Sequence, residues 1–167
     1  MSLKDRLKKR LVAAREFSLS LLRDFKEPEQ WTHQVHGNAN HALWFAGHMA
    51  VVDNFFISTI APDKVVQRPA FEKAFGMGSQ PTDNPADYPA VETVMEVMNE
   101  RRATLLSLLD SLADEDLERP MPKGTPDFLP DYAGVFEAAV WHEGLHSGQL
   151  SVARRSMGHK PLMTPPS

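Results

Sequence analysis

The chain has 167 residues, of which 42% are hydrophobic and 24% charged, and its formal net charge is −4. This length and composition are typical of one globular domain, so residues 1–167 are treated as a single domain. A mildly acidic balance argues against general binding to nucleic acids or to anionic membranes, and we expect neither partner.

The sequence contains no cysteine, which excludes disulfides, thiolate metal ligands and a cysteine nucleophile. The basic N-terminal segment is not followed by the unbroken apolar run of a signal peptide. The most apolar stretch, residues 45–60, is interrupted by His48, Asp53 and Asn54, so we expect no membrane-spanning segment. Together these features favour a cytoplasmic location.

The first predicted helix covers residues 3–25, where leucines recur at steps of three and four. Ser2 and Asp5 have the spacing of a capping box at its start, and Pro28 is the expected stop. The second helix is predicted over residues 40–60, with Asn38 or Asn40 as its N-cap. It is apolar nearly all round, which is typical of a buried helix.

The later part of the chain predicts two more long helices joined by proline-rich connections. Residues 61–88 contain four prolines and two glycines, which indicates a long crossover. The remaining predicted elements are a third helix from Pro89 through Leu112, a short turn at 114–117, a loop at 119–130 and a fourth helix at 131–157. No alternating strand pattern is visible, so we predict an all-α four-helix bundle with a long crossover between helices 2 and 3.

Two histidines lie four residues apart in the predicted fourth helix. Four residues return a helix to nearly the same face, so His142 and His146 can point at one object. Paired imidazoles are typical ligands of transition metals. Gly144 and Gly148 cost helix stability, and we interpret them as places where a helix or ligand approaches closely.

His48 is the candidate third ligand, because it lies in the middle of the buried second helix, where an unpaired imidazole would cost free energy. His41 lies two turns earlier and is a candidate fourth ligand or pocket-lining group, although solvent or a cap could also satisfy it. The other histidines are expected to be solvent-facing (His33 and His36) or near a helix C-terminus (His159).

The segment from His142 to His146 also matches the H-E-x-x-H pattern of zinc proteases. Those enzymes take a third ligand downstream, usually a glutamate or a histidine. No Asp or Glu follows Glu143, and only His159 remains, beyond the predicted helix end. A protease is therefore not expected.

Two motifs together resemble the DinB-like superfamily of metal-binding four-helix bundles. Residues 40–49 (NHALWFAGHM) resemble its second-helix stretch, with an Asn, a Trp and then Gly-His. Residues 142–150 (HEGLHSGQL) resemble its last-helix signature of two histidines followed by Gly-Gln-Leu. The resemblance implies a metal held by three histidines, which correspond to His48, His142 and His146 here.

The resemblance further implies a homodimer and, as activity, transfer of a low-molecular-weight thiol to a small electrophile. Three imidazoles leave a coordination position open, and a divalent metal there activates a bound thiol or water. Zinc and nickel are the first candidates for the metal, although copper and iron also suit imidazole. The alternatives are hydrolysis of a small amide or ester, or a metal-binding stress-response protein without turnover.

Three carboxylates are candidate groups around the metal: Glu143, Asp53 and Glu137. For each alone, a solvated or capping carboxylate is the simpler interpretation. The proline-rich crossover is a candidate cover for the pocket because of its length.

Overall fold

The computed structural model describes residues 1–163, and its regular structure is helical. The α-helices are α1 (Leu3–Leu22), α2 (Pro28–Trp31), α3 (Ala42–Ile60), α4 (Pro69–Phe75), α5 (Val91–Ser111) and α6 (Tyr132–Ser156). Short 3₁₀ turns lie at Pro62–Lys64, Pro85–Asp87 and Asp114–Glu118. Within the described residues there is no strand, only an isolated bridge between Pro120 and Asp131. The predicted all-α class is confirmed.

Helix α1 begins as its sequence predicts and ends earlier. The Ser2 hydroxyl accepts from the Asp5 amide, and the Asp5 carboxylate accepts from the Ser2 amide, which completes the capping box. The helix stops at Leu22, three residues before the predicted end. Pro28 begins α2, since a proline is well tolerated in the first turn of a helix.

Helix α3 begins at Ala42, and its N-cap is His41 where Asn38 or Asn40 was predicted. By length and composition alone α3 could cross a membrane, with a mean hydropathy of 1.2 over its most apolar window. However, 61% of that window is buried inside the chain. Packing against α5, α6 and α4 accounts for its apolar surface.

The connection between α3 and α5 contains α4 and two of the 3₁₀ turns. Helix α5 begins at Val91, two residues after Pro89, and α6 begins at Tyr132 with Asp131 as its N-cap. The Asp131 carboxylate accepts from the Gly134 amide at 2.8 Å. Helix α6 ends at Ser156, one residue before the predicted end.

The buried apolar residues form two clusters. One cluster includes Trp44, Phe75 and Met98, and the other includes Leu11 and Phe136. All four long helices contribute to both clusters. The apolar faces of α1, α3, α5 and α6 therefore meet along most of their length.

Four charged side chains lie between the two clusters, one from each long helix. They are Arg15, Asp53, Arg102 and Glu143, each with 6% or less of its surface exposed. Arg102 donates to both Asp53 oxygens, from Nε at 2.9 Å and Nη2 at 3.0 Å. Arg15 donates from Nε to Glu143 Oε1 at 2.7 Å and from Nη2 to Asp53 Oδ2 at 3.3 Å. We call these four residues the ion layer.

Further contacts complete the ion layer. Arg102 Nη1 lies 2.6 Å from Glu143 Oε2, a close charge contact without the alignment of a hydrogen bond. The Ser18 hydroxyl donates to Glu143 Oε1 at 2.5 Å, and Arg15 donates to the Met98 carbonyl. The two positive and two negative charges thus compensate one another out of water, as buried ions require.

Removing one member of the ion layer will destabilise the protein strongly. Asp53→Ala leaves the Arg102 guanidinium buried without its main partner, so we expect the free energy of unfolding to fall by about 3–5 kcal/mol. The matched control is Asp110→Ala, which removes the exposed pair between Lys8 and Asp110 and should cost about 0–1 kcal/mol. Urea unfolding measures both, and equal losses would contradict this account.

Candidate metal centre

Three histidines from two helices come together beside the ion layer. His48 comes from α3, and His142 and His146 come from α6. The ring centroids lie 5.0 Å apart for His48 and His142, 4.8 Å for His48 and His146, and 4.5 Å for His142 and His146. One nitrogen of each ring lies within 4.8 Å of the other two, so the group could hold one metal ion. The predicted three-histidine set is brought together.

The carbonyl of Phe75, at the end of α4, fixes the orientation of the His48 ring. His48 Nδ1 lies 2.7 Å from this oxygen, which can only accept, so Nδ1 carries the proton and donates. The lone pair of the ring is therefore on Nε2, available to a ligand. The indole of Trp44 stacks on the imidazole at 4.2 Å between centroids and covers one face.

Gly47 lets Phe75 approach α3 closely enough to make this contact. A Cβ atom at position 47 would lie 2.2 Å from the Phe75 ring, which is completely buried. The absence of a side chain at Gly47 thus allows the end of α4 to reach the neighbouring His48. Within the proline-rich connection between α3 and α5, it is the end of α4 that supplies this carbonyl to His48.

Gln149 holds the second oriented ring, that of His146. Its Oε1 lies 2.9 Å from His146 Nδ1 and also accepts a hydrogen bond from Asn40 Nδ2 at 3.0 Å. Asn40 precedes α3, and Gln149 is on α6. The two helices that carry the histidines are therefore linked by side-chain amides at the edge of the site.

Burial keeps the three imidazoles neutral near pH 7. Desolvation lowers the pKa of His48 to about 4, opposed by the Phe75 carbonyl. Desolvation, followed by repulsion from His146 and His48, lowers the pKa of His142 to about 3. Desolvation also lowers the pKa of His146. A metal binds the neutral imidazole, so protons compete only weakly with a metal for the lone pairs of these three rings.

His41 lies outside the cluster, so its assignment as a fourth ligand is wrong. It is buried, its Nδ1 accepts from the Trp44 amide at 3.1 Å, and its Nε2 lies 3.2 Å from the Tyr88 hydroxyl. Both ring nitrogens are thereby satisfied. The sequence left several alternatives open for His41, and the structure shows that it caps α3.

The remaining histidines are also outside the three-histidine group. His36 is exposed as predicted, but His33 is partly buried and bonds to the Ser156 hydroxyl at 2.8 Å. His159 follows the end of α6 and lies 3.9 Å from an Asp24 carboxylate oxygen.

Two of the three candidate carboxylates belong to the ion layer. The interpretation of Glu143 and Asp53 as solvated or capping groups is wrong, because both are buried and paired with arginines. Glu137, by contrast, is exposed. Both Glu143 oxygens are occupied by cations, so Glu143 presents no free carboxylate of the kind a zinc protease uses.

Gly144 and Gly148 are not sites of close approach within the chain. A Cβ atom at either position would have no neighbour within 4 Å, and both residues are exposed. The interpretation that another helix of the chain packs closely on them is therefore wrong for the described residues.

The donor set fits a divalent transition metal. Three neutral imidazoles from two packed helices match the three protein ligands of catalytic zinc sites, which leave a further position open. Imidazole ligation suits zinc, nickel, copper and iron alike. The hydrogen bonds to the Nδ1 atoms of His48 and His146 are the outer contacts that such ligands usually have.

The regular structure of residues 1–163 is thus helical, and its three-histidine group fits a metal-binding protein. The family profile of the DinB superfamily matches residues 10–150. The chain belongs to the DinB superfamily, which confirms the resemblance seen in the sequence. No curated protein sequence gives a significant match to it.

The same substitution at two helical glycines should have opposite effects. Gly47→Ala forces the buried Phe75 ring and its carbonyl away from His48, so we expect the free energy of unfolding to fall by about 1–3 kcal/mol. Gly144→Ala meets open space and should raise it by up to about 1 kcal/mol. Chemical unfolding of both variants tests this, and a neutral Gly47→Ala would show that the close packing is not required.

Proposed function

We propose that the protein is a divalent-metal-dependent enzyme whose ligands are His48, His142 and His146. The observation that carries the proposal is the cluster of three neutral imidazoles, two of them oriented through Nδ1, in a member of the DinB superfamily. Zinc or nickel are the first metals to test. The long helices α1, α3, α5 and α6, with an extended connection after α3, support a four-helix bundle with a long crossover.

We propose transfer of a low-molecular-weight thiol to a small electrophile as the reaction. When bound at the three histidines, a divalent ion would lower the pKa of a coordinated thiol and so supply a thiolate near neutral pH. The chain has no cysteine, so the reacting sulfur belongs to a substrate. Burial and the stacked Trp44 ring keep water from one side of His48. A cytoplasmic location, where such thiols are reduced, fits this reaction.

The alternative activity, hydrolysis of a small amide or ester, has less support from the site. Metal-dependent hydrolases commonly use a nearby free carboxylate as a general base. Here Glu143 and Asp53 are both paired with arginines. A metal-binding protein without turnover is the remaining alternative.

Metal content per chain tests the ligand assignment. Protein purified without chelator should carry close to one zinc or nickel ion per chain, by elemental analysis. His146→Ala should lose most of it because one of three ligands is missing. His36→Ala, at an exposed histidine away from the cluster, is the matched control and should retain it. Metal that stays in His146→Ala would refute the site.

Thiol consumption separates the three proposed functions. The metal-loaded protein should conjugate a small thiol with an electrophile at a saturable rate that chelation abolishes. Thiol reagents read this directly, because the protein contributes no thiol of its own. Stoichiometric metal without conjugation, but with ester or amide cleavage, would favour the hydrolase. Metal without either activity would favour the non-catalytic alternative.

We also propose a homodimer that contacts through the outward face of α6. Trp141, Leu145 and Val152 expose 67%, 48% and 57% of their surfaces, and they recur at helical spacing along one side. Large apolar side chains grouped in this way are typical of contact surfaces.

Light scattering should give a mass near twice 18.7 kDa for the wild type. Trp141→Glu, which places a charge in the contact, should give a monomer. Phe128→Glu changes an equally exposed aromatic residue outside α6 and should leave the dimer intact. A monomeric wild type would contradict the homodimer.

A further inference from the structure

The side-chain amides of Asn40 and Gln149 form a hydrogen-bonded pair at the edge of the three-histidine group. A glutamine side chain can present either its oxygen or its NH₂ group to a neighbour, and the two ends have nearly the same shape. Here Gln149 Oε1 meets Asn40 Nδ2 at 3.0 Å. In this arrangement Asn40 presents its NH₂ group, which can only donate, and the Gln149 atom that faces it is the oxygen.

The same Gln149 oxygen faces the His146 ring. His146 Nδ1 lies 2.9 Å from Oε1, and this acceptor requires a proton on Nδ1. A neutral imidazole carries one proton, so the lone pair is then on Nε2. His48 needs no such device, because the backbone carbonyl of Phe75 cannot turn over.

We propose that Asn40 is a positioning residue that sets the ligating tautomer of His146 through Gln149. Gln149 Oε1 accepts two hydrogen bonds, one from Asn40 Nδ2 and one from His146 Nδ1. It leaves Nε2 of His146 free for a metal. This inference rests on the proposed metal site and adds a residue that touches neither the metal ligand nor the metal.

The isosteric variant Asn40→Asp should reverse this arrangement. Its carboxylate accepts only, so the Gln149 amide turns and presents its NH₂ group both to the new carboxylate and to His146 Nδ1. His146 then accepts at Nδ1, and its proton moves to Nε2, the atom that a metal needs. We expect zinc affinity to fall about tenfold or more, as for the loss of other outer contacts to ligating histidines.

Asn38→Asp is the matched control. Asn38 lies two residues earlier in the same loop, with φ of 65°, a conformation that Asp also tolerates, and makes no hydrogen bond to Gln149. It adds the same negative charge near the site without touching the amide pair. If the added negative charge were the only effect, both variants would bind zinc at least as tightly as the wild type. A loss of zinc affinity in Asn40→Asp but not in Asn38→Asp therefore isolates the effect of the hydrogen bond.

The tautomer can be observed without metal. Long-range ¹H–¹⁵N spectra of the metal-free protein at pH 8 should show a proton on Nδ1 of His146 in the wild type and in Asn38→Asp. The proton should be on Nε2 in Asn40→Asp. Gln149→Met, which removes the acceptor at a surface position, should abolish the Nδ1 preference and weaken zinc binding about tenfold.

The proposal is overturned if Asn40→Asp keeps the Nδ1 proton, or if it binds zinc as tightly as Asn38→Asp in a chelator competition. A wild type that binds no zinc would refute the proposed function instead. In that case the spectrum of the metal-free protein still decides whether Asn40 sets the tautomer.

Discussion

The buried ion layer joins all four long helices through charge pairs. Arg15, Asp53, Arg102 and Glu143 come one each from the four long helices, and each is paired out of water. Moving any one helix by a turn, about 5.4 Å, would leave a buried charge unpaired. Apolar packing above and below the layer tolerates small shifts, because it has no direction. We infer that these charges fix the register of the helices relative to one another. Buried polar groups have this role in some other proteins.

The metal centre takes its geometry from this register. Glu143 fixes α6 at the residue next to His142, and Asp53 fixes α3 five residues after His48. The rings are then oriented locally, by the Phe75 carbonyl for His48 and by Gln149 for His146. Burial, followed by repulsion between the rings, lowers the pKa of His48 and His142, so that both rings are neutral near pH 7 and keep a lone pair for a metal. Stability and ligand geometry therefore depend on adjacent residues of the same two helices.

The sequence predicts the long helices and the pair His142 and His146 from helical spacing, and His48 from its place in a buried helix and from the family resemblance. Periodic leucines define α1, and a separation of four residues places His142 and His146 on one face. The ion layer was missed although a signal exists, since the buried stripe of Leu7 and Leu11 continues directly into Arg15. The sequence alone does not reveal that Glu143 is paired, because its arginine partners are far away along the chain, on α1 and α5. The Phe75 carbonyl could not be predicted for the same reason, as no local pattern places α4 against His48.

X-ray absorption of the zinc-loaded protein is the sharpest test of the three-histidine site, because it reports the ligands of the metal itself. We expect three imidazole nitrogens at about 2.0–2.1 Å and one further, exchangeable ligand. Adding a small thiol should replace that ligand with sulfur at about 2.3 Å. A spectrum with fewer than three imidazoles, or with carboxylate oxygen from the protein, would contradict the three-histidine site.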